Sequence, residues 1–179
     1  MTFRTEDWPF AIPIAKKDGH WYFDIKQGKE EILARRIGLN ELSAIKGCLA
    51  YVDAQREYAL KDRDGDGLLE YAQRFRSDKG KKNDLYWTVK AGEEQSPLGL
   101  LFAATQERDY TVKQSAGKPV AFNGYYYKIL TAQGKSAPGG AYDCLVRGNT
   151  LGGFALVAYP AKFGSSGIMT FMVNHDRVG

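Results

Sequence analysis

Between Asn40 and Leu60 the residues Leu42, Ile45, Leu49, Val52 and Ala59, joined by Cys48 and Tyr51, recur at steps of three and four. That is the period of an α-helix with one apolar stripe, and a stripe of this kind needs a cover. The rest of the chain supplies a sheet. From Gly124 onward, Tyr125 to Thr131, Tyr142 to Val146, Phe154 to Tyr159 and Ile168 to Val173 are β-branched and aromatic runs separated by glycine-rich turns. Consecutive strands with short joins predict an antiparallel meander. The expected fold class is therefore α+β, a long helix in the N-terminal half packed on an antiparallel β-meander. No linker or internal repeat divides residues 1–179, so one domain is expected.

Ahead of that helix, Trp8 to Ile14 is an apolar segment whose prolines confine it to a sheet edge or an extended arm. Lys16-Lys17-Asp18-Gly19 carries the Asp-Gly hairpin signal, and His20 to Ile25 returns as a strand. Gly28 to Arg36 changes to a helical period, with Glu30 and Glu31 near its positive start and Arg35 and Arg36 near its negative end. Asn40 then reads as the cap of a second, longer helix.

The helix runs into Asp62-Arg63-Asp64-Gly65-Asp66-Gly67-Leu68-Leu69-Glu70. Aspartates at the first, third and fifth places of a loop can turn their oxygens toward one centre, and a glycine at the sixth permits the reversal that wraps backbone around an ion. Asp62, Asp64, Asp66 and Gly67 fill those places, the carbonyl of Leu68 takes the seventh, and Glu70 stands at the ninth. The twelfth place holds Gln73 where a full EF-hand loop has Glu, so Glu70 or another acid such as Asp78 or Asp84 has to close the shell. Oxygen ligands without His or Cys favour calcium. The alternative is a solvated acidic turn, since Asp-Gly pairs are ordinary turn formers.

Further along, Leu69 to Phe75 is expected as a short helical turn, Asp84 to Val89 as a strand, Pro97 to Ala104 as a buried strand or helix, and Glu107 to Phe122 as an exposed excursion. Lys79, Lys81 and Lys82 lack interleaved stacking aromatics and read as a solvated loop. With a net charge of only +4 and its cations dispersed, the chain carries no nucleic-acid footprint. No apolar run reaches the roughly 18 residues of a membrane span. Cys48 and Cys144 are compatible with one bridge without demanding it.

Several blocks together resemble an uncharacterised bacterial family, domain of unknown function 2950. They include Trp8-Pro-Phe-Ala-Ile-Pro, Glu31-Ile-Leu-Ala-Arg-Arg-Ile-Gly-Leu-Asn-Glu-Leu, Ala50-Tyr-Val-Asp-Ala-Gln-Arg-Glu-Tyr and the acidic loop with Glu70-Tyr71-Ala72. Asp84-Leu-Tyr-Trp, Gly124-Tyr-Tyr-Tyr-Lys-Ile-Leu-Thr-Ala-Gln-Gly and Gly153-Phe-Ala-Leu-Val-Ala-Tyr-Pro agree with them. The resemblance implies an exported protein, periplasmic or extracellular, made with a leader that is absent here, and a C-terminal strand that is incomplete; it implies no activity. A weaker resemblance is to type IV pilin and pseudopilin globular domains, carried by Asn40-Glu-Leu-Ser-Ala-Ile ahead of Ala54-Gln-Arg-Glu-Tyr and by Tyr125-Tyr-Tyr.

Catalytic signals are sparse. Gly134-Lys135-Ser136 lacks the glycine of a phosphate loop, where Ile129 stands, and Gly164-Ser165-Ser166-Gly167 falls short of a nucleophile elbow. His20 and His175 are the only imidazoles. Arg36, Asn40, Glu41, Gln55 and Tyr58 lie on or beside the helical stripe and admit two readings: a network tying helix to sheet, with Arg36 and Glu41 as an ion pair, or a polar cleft with Glu41 as base. Tyr125, Tyr126, Tyr127, Tyr142 and Tyr159 could line a face for glycan or peptide, although alternate ones must point into the core. The first expectation is an exported, calcium-binding domain serving as a binding or structural component of the bacterial envelope, with an unknown envelope protein or polymer as partner. The alternative is a hydrolase of cell-wall or peptide material.

Overall fold

A computed structural model describes residues 9–90, 92–99 and 121–176. Trp8, the segment 100–104 of the expected apolar run, and nearly all of the expected excursion lie outside the described residues. The chain opens with a hairpin of β1 (Ile14–Lys17) and β2 (His20–Phe23), antiparallel with Lys17 opposite His20. Its turn is Asp18-Gly19 at φ 51° and 82°, the left-handed pair that a two-residue hairpin turn requires.

One helix follows, α1 (Ile25–Tyr58), 34 residues long and capped by Asp24, whose Oδ1 accepts from Gln27 N at 3.0 Å. The break expected between Arg36 and Asn40 does not occur. Gly38 weakens a helix by only about 1 kcal/mol relative to Ala. Asn40 does not cap, because its Nδ2 donates to Ser166 O at 2.8 Å across the packing interface.

The helix is apolar on two faces, and the sheet covers the less obvious one. Ala44, Gly47, Cys48, Tyr51, Val52, Ala54, Gln55 and Tyr58 are buried. Leu42, Ile45 and Leu49, expected in the same stripe, are 59%, 40% and 45% exposed. Periodicity registers that a face is apolar, not which face a neighbour can approach. Small residues allow the close approach: a Cβ at Gly47 would come within 3.1 Å of Tyr127 Oη.

The sheet contains β3 (Tyr125–Leu130), β8 (Ala155–Pro160) and β9 (Phe171–Asn174), antiparallel, with β8 in the centre. Tyr127, Ala158 and Phe171 align across it, as do Ile129, Leu156 and Val173. These rows pack against α1 to form the core with Phe154 and Tyr125. Between β3 and β8 lie the short ribbons of β4 (Ala132–Gln133) with β5 (Tyr142–Asp143), and β6 (Leu145–Val146) with β7 (Asn149–Thr150). The α+β class stands, but the four-stranded meander does not. Tyr142 to Val146 is broken where Asp143 Oδ1 accepts from Leu145 N at 3.0 Å. Ile168 and Met169 lie outside β9 because their N–H groups donate to Glu41 Oε1, at 2.9 and 3.0 Å.

The stretch from Leu69 to Val89 forms neither the expected helical turn nor the expected strand. Tyr71 bridges to Thr150 and Tyr86 to Arg76, and the rest is irregular. Its order comes from burial: Ala72 and Leu85 join the core with the C-terminal half of α1, and Asp84 and Trp87 are buried as well. Both cysteines are free and buried, and burial pushes the Cys48 thiol up to about 11, which makes it a packing residue.

Candidate metal centre

The acidic loop begins as soon as α1 ends. Asp62 organises it with both carboxylate oxygens: Oδ1 accepts from Gly65 N at 2.7 Å and Oδ2 from Gly67 N at 2.9 Å. These two bonds come first among the causes that hold the Asp62 carboxyl below its usual range. Gly65 and Gly67 sit at φ 82° and 84°, backbone that an L side chain adopts only with strain. Asp64 Oδ1 accepts from Asp66 N at 3.3 Å, and Asp66 Oδ1 from Leu68 N at 2.8 Å. Asn149 Nδ2, across the cleft on β7, donates to Asp66 Oδ2 at 3.0 Å and ties the loop to the ribbon.

The result is a triad of exposed carboxylates, Asp62, Asp64 and Asp66, each offering one oxygen within 4.8 Å of the others. Three like charges at that separation repel one another, and a divalent cation between them reverses the sign of the interaction. Leu68, at the seventh place, is 42% exposed.

Glu70 stands apart in character. Its Oε2 is buried and has no hydrogen-bond partner among the described residues. Its carboxyl is pushed above the usual range, first by burial, then by the charges of Asp64 and Asp66, against a lowering contribution from the Thr150 backbone. A buried carboxylate oxygen without a partner costs free energy that a proton or a cation would remove.

The other acids considered for the shell are engaged elsewhere. Asp84 is buried and accepts from Arg74 N and Nε, each at 2.8 Å. Asp78 pairs with Arg74 at 3.0 Å and accepts from Asn83 Nδ2 at 2.9 Å. Gln73, at the twelfth place, donates to Gly148 O at 2.6 Å. Glu70 is not among the carboxylates whose oxygens come within 4.8 Å of one another, but it lies near enough for the charges of Asp64, Asp66 and Asp62 to raise its carboxyl.

The residues grouped as a polar cleft divide between the middle of α1 and its C-terminal end. Arg36 donates to Ser165 O at 3.1 Å and to Ser165 Oγ at 3.2 Å, Asn40 to Ser166 O, and Glu41 accepts from Ile168 and Met169. These residues latch the helix to the 164–169 turn. Arg36 and Glu41 make no ion pair with each other; each is taken up by backbone of that turn. Gln55 and Tyr58 lie more than three turns further along, at a rise of 1.5 Å per residue. Gln55 is bound to Ala72, and Tyr58 lines a cavity of about 670 Å³ beside the acidic loop.

That cavity was not legible in the sequence. Arg63, inside the acidic run, turns its guanidinium over the rings of Tyr58 and Trp87, at 5.0 and 5.1 Å. Lys82, read as part of a solvated loop, lies over Trp87 at 5.6 Å and 3.5 Å from Glu94. Trp87, twenty-odd residues from the acidic loop, was the available signal, but only the tertiary fold brings it under both cations.

Fold and loop together define an α+β domain whose aspartate triad could hold a metal ion. Residues 1–178 match the family described as Protein of unknown function (DUF2950), and the chain belongs to that family. No curated protein and no solved structure matches. These comparisons do not show the expected resemblance to pilin domains.

Proposed function

We propose that residues 62–70 form a calcium site, with Asp62, Asp64, Asp66, the Leu68 carbonyl and Glu70 as ligands, and that the domain is an exported, non-enzymatic binding or structural component of the bacterial envelope. The observation that carries this reading is the carboxylate triad within 4.8 Å, supported by a buried Glu70 oxygen that has no partner among the described residues. A site of oxygen ligands on a flexible loop suits calcium better than magnesium, which demands tighter octahedral geometry.

Ligand count supports the location. With Gln73 where a bidentate Glu would stand, the loop falls in the weak class of calcium sites, with Kd of about 10⁻⁴ to 10⁻³ M. Such a site fills in the periplasm or outside the cell, where calcium reaches those levels, and not against a micromolar cytosol. A pilin-like role within an assembly is compatible with the helix-on-sheet architecture.

No observation favours the hydrolase alternative: Glu41 Oε1 is occupied by two backbone N–H groups, and neither His20 nor His175 contacts it among the described hydrogen bonds. Isothermal titration with calcium chloride tests the reading. One site per chain, abolished in Asp64→Asn, supports it; heat no greater than dilution overturns it.

A further inference from the structure

The cavity next to the loop is lined by groups of both charges, and its built element is Arg63. That side chain is only 6% exposed. Its Nε donates to Tyr58 O at 3.3 Å, its Nη1 lies 3.6 Å from Glu94 Oε1, and Nη2 has no partner among the described residues. A desolvated guanidinium with its Nη2 free on a cavity is a site for an anionic oxygen. Lys81 and Lys82 also line the cavity. Arg74 does not contribute in the same way, since Asp84 and Asp78 take its donors.

Asp64, Glu70 and Asp84 line it as well, Asp84 being taken up by Arg74. Gln73 and Asn149 also line the cavity, and each commits its amide N–H to a neighbour, Gly148 O and Asp66 Oδ2. Their amide oxygens have no partner among the described residues and suit hydroxyl donors. Tyr58 and Tyr71 add ring surface. The volume, about 670 Å³, lies in the ordinary range of small-molecule sites and far exceeds a single inorganic anion.

We propose that this cavity binds a hydroxylated carboxylate of the sugar-acid class, its carboxylate on Arg63 and Lys81 and its hydroxyls toward the acidic loop. The inference rests on the calcium reading. With the loop empty, Asp64 and Glu70 on the cavity and Asp62 and Asp66 in the same loop repel an anion; with calcium bound, the loop turns attractive and the ion can take ligand hydroxyls at coordination positions the chain leaves open. Ligand and calcium therefore each raise the other's affinity by the same factor.

D-glucuronate is the probe, titrated by ligand-observed NMR into the full chain in about 10 mM calcium chloride, a concentration well above the Kd range of weak loops. D-glucose serves as the uncharged control and EDTA as the calcium-free arm. The expected result is saturable glucuronate binding in calcium, at least tenfold weaker in EDTA and absent for glucose. Arg63→Gln should weaken it by more than about tenfold. Because Arg63 also packs between two rings, Lys81→Gln, an exposed substitution, serves as the second variant and should weaken binding about threefold. Absence of saturable binding in protein that has demonstrably taken up calcium overturns the inference and leaves the calcium site standing. Equal binding of glucose, equal binding in EDTA, or no effect of Lys81→Gln also overturns it. Failure to take up calcium removes both.

Discussion

Gln55 and Ala72 are joined by two hydrogen bonds of 2.8 Å, one from Gln55 Nε2 to Ala72 O and one from Ala72 N to Gln55 Oε1. A buried side-chain amide here mimics a strand neighbour for a backbone that has none. Gln55 Nε2 also donates to Tyr51 Oη at 2.9 Å, so the contact is tied into the helix. This pair holds the irregular segment after the acidic loop against α1 and thereby fixes where Glu70 lies.

Gln55→Leu should therefore be costly although it is volume-conserving. It leaves two buried backbone groups of Ala72 without partners, at about 1–3 kcal/mol each. Urea unfolding should show a loss of about 2–5 kcal/mol. A loss below about 0.5 kcal/mol, the range of neutral surface changes, would remove Gln55 from this role.

Glu41 is predicted to be a latch. Glu41→Ala should destabilise by about 1–2 kcal/mol and accelerate amide exchange at Ile168 and Met169, whose N–H groups it accepts. Glu41→Gln keeps an acceptor oxygen and should lose less than half as much. Protection at both amides unchanged in Glu41→Ala would contradict the assignment.

Gly67 stands at φ 84° while its N–H donates to Asp62 Oδ2. Gly67→Ala should cost about 1–2 kcal/mol in backbone strain and weaken calcium binding in the same titration. Gly38, in a right-handed helix with open space around it, should instead gain from substitution by Ala, by about 0.5–1 kcal/mol. Thermal melts of the two variants should move in opposite directions.

Acid titration should separate two carboxylates of opposite behaviour. Asp78 is held down to about 2, first by its hydrogen bond with Arg74 and then by Asn83. Its folded pKa lies below the ordinary 3.8, so its contribution is present above that value and is lost as pH falls toward 2. Glu70 is raised above its ordinary 4.5, so in calcium-free protein its contribution is present below that value and declines as pH rises through the folded pKa. Asp78→Asn should flatten the acid limb of a urea-midpoint series below about pH 4. Glu70→Gln should raise the calcium-free midpoint at pH values above the ordinary 4.5 and abolish the calcium response. Any other assignment of signs would refute the electrostatics of the loop.

The local signals in this chain were legible and the long-range ones were not. Asp18-Gly19 specified its turn, and the alternation of aspartate and glycine from Asp62 to Gly67 specified its loop, because both are fixed by backbone sterics within a few residues. The three-residue and four-residue spacing located α1 but pointed to Leu42, Ile45 and Leu49, which face outward. Sequence spacing carries no information about which face a distant strand meets. The latch of Glu41 onto Ile168 and the cradle of Arg63 between Tyr58 and Trp87 join residues that only the tertiary fold brings together.

The most direct measurement is the melting temperature of the calcium-free protein as calcium chloride is raised to about 10 mM, with magnesium chloride as control. For Kd between about 10⁻⁴ and 10⁻³ M, linkage gives about 1.4–2.7 kcal/mol of added stability, a rise of about 3–10 °C in a chain of this size. The account predicts that rise with calcium, little with magnesium, and none in Asp64→Asn. A wild-type curve that stays in place across the whole range would show that the aspartates of this loop face water without gathering an ion.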